Sequence, residues 1–384
     1  MPTARPDGLG LALCSRILHT RRRNGRRAGP GTERLVNEPR NILVGMIGAA
    51  GDVILSTPLL ESLDTAYPYA RVTYLVGRRA APALRHLELV DNLIELNDSG
   101  SGRLADLRAA WQVRKGRFDL SIMLDRSDKL AAMAWMAGIP RRIGFEPARA
   151  AWAVSQFIPR DPDVHRTAYL LGAAEVLGIP PPARIRLHYA RTRPESERAQ
   201  GTLRNAGVQP KRDVIVAICP GSGSRHWRKR RWDVRRFAGL ADHAIRRGWK
   251  PVVIAGADEA GMLEGIGDGL HSGILRYQAE DLRDMGAILG EATIVVSNDS
   301  LPVHLGGALG KPVLAVYGYS DRRHWGPLGN HDRIVQLDLP CSPCPPDFPC
   351  DRDFECLREL PVERVSGVLD EMMSAEAADS GSRG

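Results

Sequence analysis

The sequence predicts an α/β protein of two doubly wound, parallel-sheet halves facing each other across a cleft. Two observations predict it. Short apolar, β-branched runs alternate with stretches of helical periodicity, as parallel strands and their crossover helices do. Each half also opens with the same unit: a buried strand, a glycine-bearing turn and a helix. In such sheets ligands bind at the carboxyl ends of the strands. At 384 residues the chain is long enough for two ordinary domains.

Residues 1–40 stand apart. Between positions 5 and 40 nine arginines face three acids, with Gly and Pro scattered among them. This reads as a basic, disordered extension, with an anchor on an anionic membrane surface as the alternative. The first domain is expected over 41–190. Its opening strand, 42–47, leads through Gly48 and Gly51 into a helix over 53–66, with Asp52 at the turn most simply as a helix cap. The spacing is not G-x-G-x-x-G and no acid follows at the ribose position, which argues against a nicotinamide cofactor. Strands are then expected at 72–76, 90–96, 120–124 and 141–145, and helices at 80–87, 103–114 and 129–137. Arg126, Arg141 and Arg142 read either as solvated charge or as the holders of an anionic acceptor, with Lys129 beside them.

A connecting segment, 191–212, carries a helix at 195–206. The second domain is expected over 213–370. Its opening strand, 214–219, ends in Pro220-Gly221-Ser222-Gly223-Ser224, followed by a cationic run that includes Lys229 and Arg230. A small Gly/Ser turn exposes backbone N–H groups, and the cations behind it suit a diphosphate. A helix follows to about 248, then a strand at 251–255 whose exit turn holds Glu259, a cap or a partner for a ribose hydroxyl. The strand at 294–296 meets Ser297-Asn298-Asp299-Ser300, a helix at 301–309 and a strand at 313–317. That helix points its positive end at the turn, which favours a phosphate. Asp299 and His304 stand at its mouth, or serve as cap and surface residue. Residues 371–384 read as a disordered tail.

Composition bounds the function. Hydrophobic content of 43% and a net charge of 53 − 45 = +8 describe a mildly basic globular chain suited to phosphates, acidic substrates or an anionic membrane, and do not by themselves call for nucleic acid. No run reaches the roughly eighteen apolar residues of a membrane span. Cys341, Cys344, Cys350 and Cys356 have spacing C-x2-C-x5-C-x5-C in a proline-rich stretch, 341–356. Four thiolates so close suit a structural zinc or iron; reduced thiols or a disulfide are the plainer readings.

Two Rossmann-like halves with a cleft between them make the GT-B architecture. The motifs ILVGMIGAAGDVILSTPLLESL (42–63), PGSGSRHWRKRRW (220–232), SNDSLPVHLGGALGKPVLAVYG (297–318) and HWGPLG (324–329) resemble those of the glycosyltransferase family 9 heptosyltransferases. The cysteine stretch resembles a tail found in part of that family. The resemblance implies an inverting, metal-independent transfer of heptose from ADP-heptose to a lipopolysaccharide core acceptor. Partners would be a nucleotide sugar and a lipid-linked saccharide, without nucleic acid, in the cytoplasm or peripherally on the inner membrane. It implies Asp52 as catalytic base and the first domain as acceptor domain. It also implies a donor set of Ser222, Ser224, Lys229, Arg230, Glu259, Asp299, Ser300 and His304. One position departs: Leu301 stands where the family often has Gly, and Pro302 after it lacks an N–H. A different nucleotide sugar, a protein or small-molecule acceptor, or a non-catalytic binding protein on the same scaffold are the alternatives.

Overall fold

A computed structural model describes residues 38–97, 103–223, 226–264, 273–345, 347 and 349–381. The β-branched runs pair into two six-stranded sheets, parallel throughout. The first holds β1 (Asn41–Met46), β2 (Arg71–Gly77), β3 (Asn92–Leu96), β4 (Leu120–Met123), β5 (Arg141–Gly144) and β6 (Gln156–Phe157), in the order β3-β2-β1-β4-β5-β6. The second holds β7 (Ile215–Cys219), β8 (Lys250–Ala255), β9 (Leu275–Gln278), β10 (Ile294–Asn298), β11 (Val313–Tyr317) and β12 (Arg333–Gln336), in the order β12-β11-β10-β7-β8-β9. The central strands are buried almost end to end because helices cover both faces.

In each sheet the order reverses beside the first strand: between β1 and β4, and between β7 and β10. Register pairs Gly45 with Met123 and Cys219 with Ser297, so the strands of each pair finish together. The crevice opened at these reversals is where a doubly wound sheet receives its ligand. One apolar cluster runs from Val44 and Val76 in the first sheet, through Val53 and Ile54, to Val303, Leu305 and Val295 in the second. The helices Ala50–Leu55 and Leu301–Ala308 therefore meet at the junction of the halves.

A polar tie also crosses that junction, and a second holds residue 188 within the first half. Glu195 closes a capping box with Thr192 and receives Arg283 at 2.9 and 2.5 Å. Burial raises that carboxyl, but Arg283 and the Thr192 N–H outweigh it and bring it to about 2. Arg283 reaches on to the carbonyls of Pro82 and Arg85 in the first half. His188 bonds Glu61 through Nε2 at 3.1 Å, and its N–H donates to Thr57 Oγ1 at 2.9 Å.

The structure corrects two expectations. Residues 80–87 do not form an α-helix. Only a 3-10 turn, Ala81–Ala83, is made, and His86 has a positive φ of 66° that ends it. The expected tail at 371–384 is helical as far as 381, within the helix Val362–Gly381. Its Val365, Leu369, Met372 and Met373, at i, i+4, i+7 and i+8, pack into the core under β11 and β12.

Candidate active site

The site is built from turns at the carboxyl ends of the central strands. After β1 the chain enters the helix Ala50–Leu55, whose cap position is Ala49, with no side-chain cap. Asp52 is thus not consumed as a helix cap. Its Oδ1 faces Arg166 Nε at 3.4 Å, with both side chains about a quarter exposed. Arg166 lies 5.3 Å over the Tyr169 ring, which stacks flat on Phe145. One strand away, Asp125 follows β4 and accepts the N–H groups of Ile47 and Ser127 at 2.7 and 3.1 Å. Burial pushes its carboxyl up against those bonds. Asp125 therefore fixes the turn on which Asp52 is presented.

The anionic-acceptor arginines divide. Arg126 follows Asp125 at the carboxyl end of β4 and donates to the Glu146 carbonyl at 2.8 Å. The structure does not bring Arg141 and Arg142 to the site. They open β5, with Arg141 paired to Leu120 at the amino end of β4, so they stand at the far edge of the sheet. Arg142 is spent on the carbonyls of Ile139 and Ala153, and Arg141 bonds Gln156.

On the facing half, Asn298 stitches the turns together. Its amide donates to the Pro220 carbonyl at 2.6 Å, and its Oδ1 accepts the Trp232 N–H at 3.0 Å. Ser300 Oγ donates to the Gly221 carbonyl at 3.3 Å. Asp299 is 3% exposed. Burial pushes its carboxyl up, and Arg230 and the Ser320 hydroxyl, which donates to it, pull it back only in part. Arg230 Nε stands 3.6 Å from Asp299, and the guanidinium also bonds the Tyr319 hydroxyl at 2.9 Å. Glu259 is held by Arg231 at 3.0 Å and by the Gly256 N–H at 3.2 Å. A Cβ on Gly221 would fall 1.9 Å from Glu259 Oε2, so a side chain there would push that carboxylate out of its place. Lys229 donates to the Pro345 carbonyl at 3.3 Å, toward the cysteine loop. Ser224 lies outside the described residues.

The two halves meet at His304. A Cβ on Gly51, next to Asp52, would stand 3.2 Å from its Cδ2. Burial, with His165 and Arg230 nearby, lowers the imidazole to about 3, so it is neutral. Among the described residues His304 Nδ1, Ser222 Oγ and Arg231 Nε are buried without hydrogen-bond partners. Buried polar groups normally find partners, so three idle ones at these turns are capacity for a polar ligand. Beside them His165 accepts the Thr167 N–H through Nδ1, which leaves its proton on Nε2 to donate to the Gly326 carbonyl at 2.9 Å. Arg166, Asp125, His165 and Tyr319 are the residues that the sequence reading missed. For Asp125 a signal existed: an acid directly after a strand, as at Asp52.

The His304 shift has a measurable sign. The unfolded ring titrates near 6.5 and the folded ring near 3, so between these values the unfolded chain binds the extra proton. Stability is therefore expected to fall as pH drops through that window. His304→Gln should flatten this acid limb in urea melts taken at several pH values. An unchanged slope would show that the ring is not held neutral.

The four cysteines of 341–356 lie near one another, since Cys341, Cys344 and Cys350 all act on Cys356. Cys341 and Cys350 are exposed, while Cys356 is drawn against the apolar cluster under the second sheet. Burial, ahead of the neighbouring sulfurs, raises the Cys356 thiol to about 11. Among the described residues no three His, Cys, Asp or Glu side chains converge as a metal-ligand set.

Two parallel-sheet halves, a carboxylate at one switch point and a cationic pocket at the other, define a GT-B glycosyltransferase. The chain belongs to glycosyltransferase family 9 (heptosyltransferase), whose model matches residues 107–347. It is 25% identical over 311 residues to lipopolysaccharide heptosyltransferase 2 of Escherichia coli K12, covering 75% of this chain and 85% of that one. The fold is similar to that of a family 9 glycosyl transferase from Veillonella parvula (TM-score 0.79, 22% identity, 88% of this chain and 98% of that one). It is also similar to that of the E. coli ADP-heptose lps heptosyltransferase II (TM-score 0.71, 20% identity, 88% and 99%).

Proposed function

We propose that this enzyme transfers heptose from ADP-heptose to a lipopolysaccharide core-type acceptor with inversion. The observation that carries the reading is the meeting of Asp52 and Arg166 with His304, Asp299 and Arg230 at one junction. The acceptor hydroxyl attacks the anomeric carbon and gives its proton to Asp52. The bond from that carbon to the diphosphate breaks, and ADP leaves with the electron pair. Its charge is met by Arg230, with Lys229 behind, and by the amino end of the helix Leu301–Ala308. Ser222, Ser300 and His304 supply hydrogen bonds to the donor, and Glu259 is placed for its ribose. Arg126, at the carboxyl edge of the first sheet, serves the acceptor's anionic groups.

ADP-heptose and lipopolysaccharide, the donor and acceptor of the similar heptosyltransferases, support this reading. A lipid-borne acceptor would place the enzyme peripherally on the inner membrane, on its cytoplasmic side. ADP-heptose should raise the melting temperature more than UDP- or GDP-sugars do, because a ligand of the native state alone stabilises it. It should then release ADP when a heptose-deficient core acceptor is added. Equal shifts for all nucleotide sugars, or a shift only with a uridine donor, would overturn the assignment.

A further inference from the structure

Exposed large apolar side chains are not spread evenly over the molecule. Among the described residues all but Trp227 belong to the first half. Five of them, Leu107, Trp111, Trp135, Met136 and Trp152, are each between 49% and 65% exposed. They fall in two groups, Leu107 with Trp111 and Trp135–Met136 with Trp152, bridged by Arg114. On the helix Arg103–Lys115, Leu107 and Trp111 are four apart and Lys115 follows after four more, with Lys115 set over the Trp111 ring at 4.9 Å. Arg114 donates to the Met136 carbonyl at 3.0 Å, which joins this helix to the end of Asp128–Met136. Trp135 then meets Trp152 edge to face at 4.9 Å. The opposite side of the first helix, Ala109 and Val113, is already buried in the core, so the outer aromatics are not needed to hold it.

Cations outnumber acids along this face. Arg108, Arg114 and Lys115 are exposed between the rings. The acid on the same helix, Asp106, is held by Lys129 at 2.6 Å, and Asp128 accepts the N–H groups of Arg149 and Ala150. Tryptophan rings prefer the boundary between water and acyl chains, where an apolar body and a polar N–H are both satisfied. Each Lys or Arg near an anionic surface adds its own attraction. A partner protein would match a patch of this size with a complementary groove and acids; a bilayer needs only rings that insert and cations that meet headgroups.

We propose that this face, Leu107–Trp111–Lys115 with Trp135, Met136 and Trp152, is the surface by which the enzyme rests on an anionic lipid bilayer. It runs the length of the helix Arg103–Lys115, from Asp106, held by Lys129 beyond the carboxyl end of β4, to Lys115 and Met136, which precede β4 and β5 at the amino edge. The proposal deepens the reading of a lipid-borne acceptor, but lipid binding is measured without any transfer.

The full chain is mixed with vesicles of phosphatidylglycerol and phosphatidylcholine, or of phosphatidylcholine alone, and sedimented. Binding to the anionic vesicles is expected, with quenching of tryptophan emission when the acyl chains are brominated. Trp111→Gln/Trp135→Gln/Trp152→Gln should weaken partitioning at least about tenfold. Arg108→Gln and Lys115→Gln should each weaken it about fivefold, with less effect in high salt. Melting temperature and its rise with ADP-heptose should stay as in the parent, and that rise reports on the donor reading separately. The proposal is overturned if the parent ignores anionic vesicles, or if the triple variant binds them undiminished, which would assign the contact to residues 1–40 or elsewhere. A dimer in light scattering that the same variant abolishes would make the face a contact between copies and overturn it equally.

Discussion

Asp52→Asn is expected to lower transfer by about 10²–10⁴-fold while leaving donor affinity nearly unchanged. The amide is the same size and can still face Arg166, so the turn at Gly51 should keep its shape. What is lost is the acceptance of a proton, which matters only when the acceptor hydroxyl attacks. Donor binding draws on the opposite half, so calorimetry with ADP should give the parent's value. A variant that turns over near the parent rate, with its melting temperature intact, would remove Asp52 from the chemistry. Arg166→Gln is the milder companion: it leaves the carboxylate but not its partner at 3.4 Å.

Arg230→Ala should weaken ADP binding by roughly 1.5–3 kcal/mol, the range for a lost charge-assisted hydrogen bond, or about ten- to a hundredfold. It should also destabilise the fold, because Asp299 would remain buried without its cation. Burial already raises the Asp299 carboxyl, and removing the charge that opposes this raises it further. The sign for stability follows. At neutral pH the folded variant must either keep an unpaired carboxylate or take up a proton that the unfolded chain does not bind. The penalty should therefore shrink as pH falls and protonation becomes easy. Arg230→Ala/Asp299→Asn should recover much of the stability without recovering the affinity for ADP. Unchanged affinity in the single variant would mean that the donor's phosphates lie elsewhere.

The parts of the site that local pattern determines were legible in the sequence. Asp52 and Asp299 each follow an apolar strand at the start of a helix, and that grammar alone puts them at carboxyl ends. Arg230 was legible as one charge in a basic run. Its bond to Tyr319 was not, because nothing local links positions 89 apart. Arg166 and Asp52 are 114 apart and belong to elements whose approach depends on the whole sheet. Arg141 and Arg142 lead the strand expected at 141–145, which already put them at its amino end and away from the carboxyl-end turns. The cysteines were legible as a cluster, because their close spacing keeps the sulfurs neighbours whatever the loop's path; that Cys356 alone among them packs against the core was not. Strands β6, β9 and β12 escaped notice as short edge strands, two to four residues long with little buried alternation to read.

The bond between His165 and the Gly326 carbonyl has a kinetic meaning. His165 caps the helix that begins with Arg166, so one residue is fastened to the donor half while the next faces the base. Swinging the halves apart must break that bond and remove one restraint on the start of the helix that carries Arg166, the partner of Asp52. On the proposed mechanism the base then keeps its full setting only while the halves are together, and attack by water on the donor is discouraged in the open enzyme.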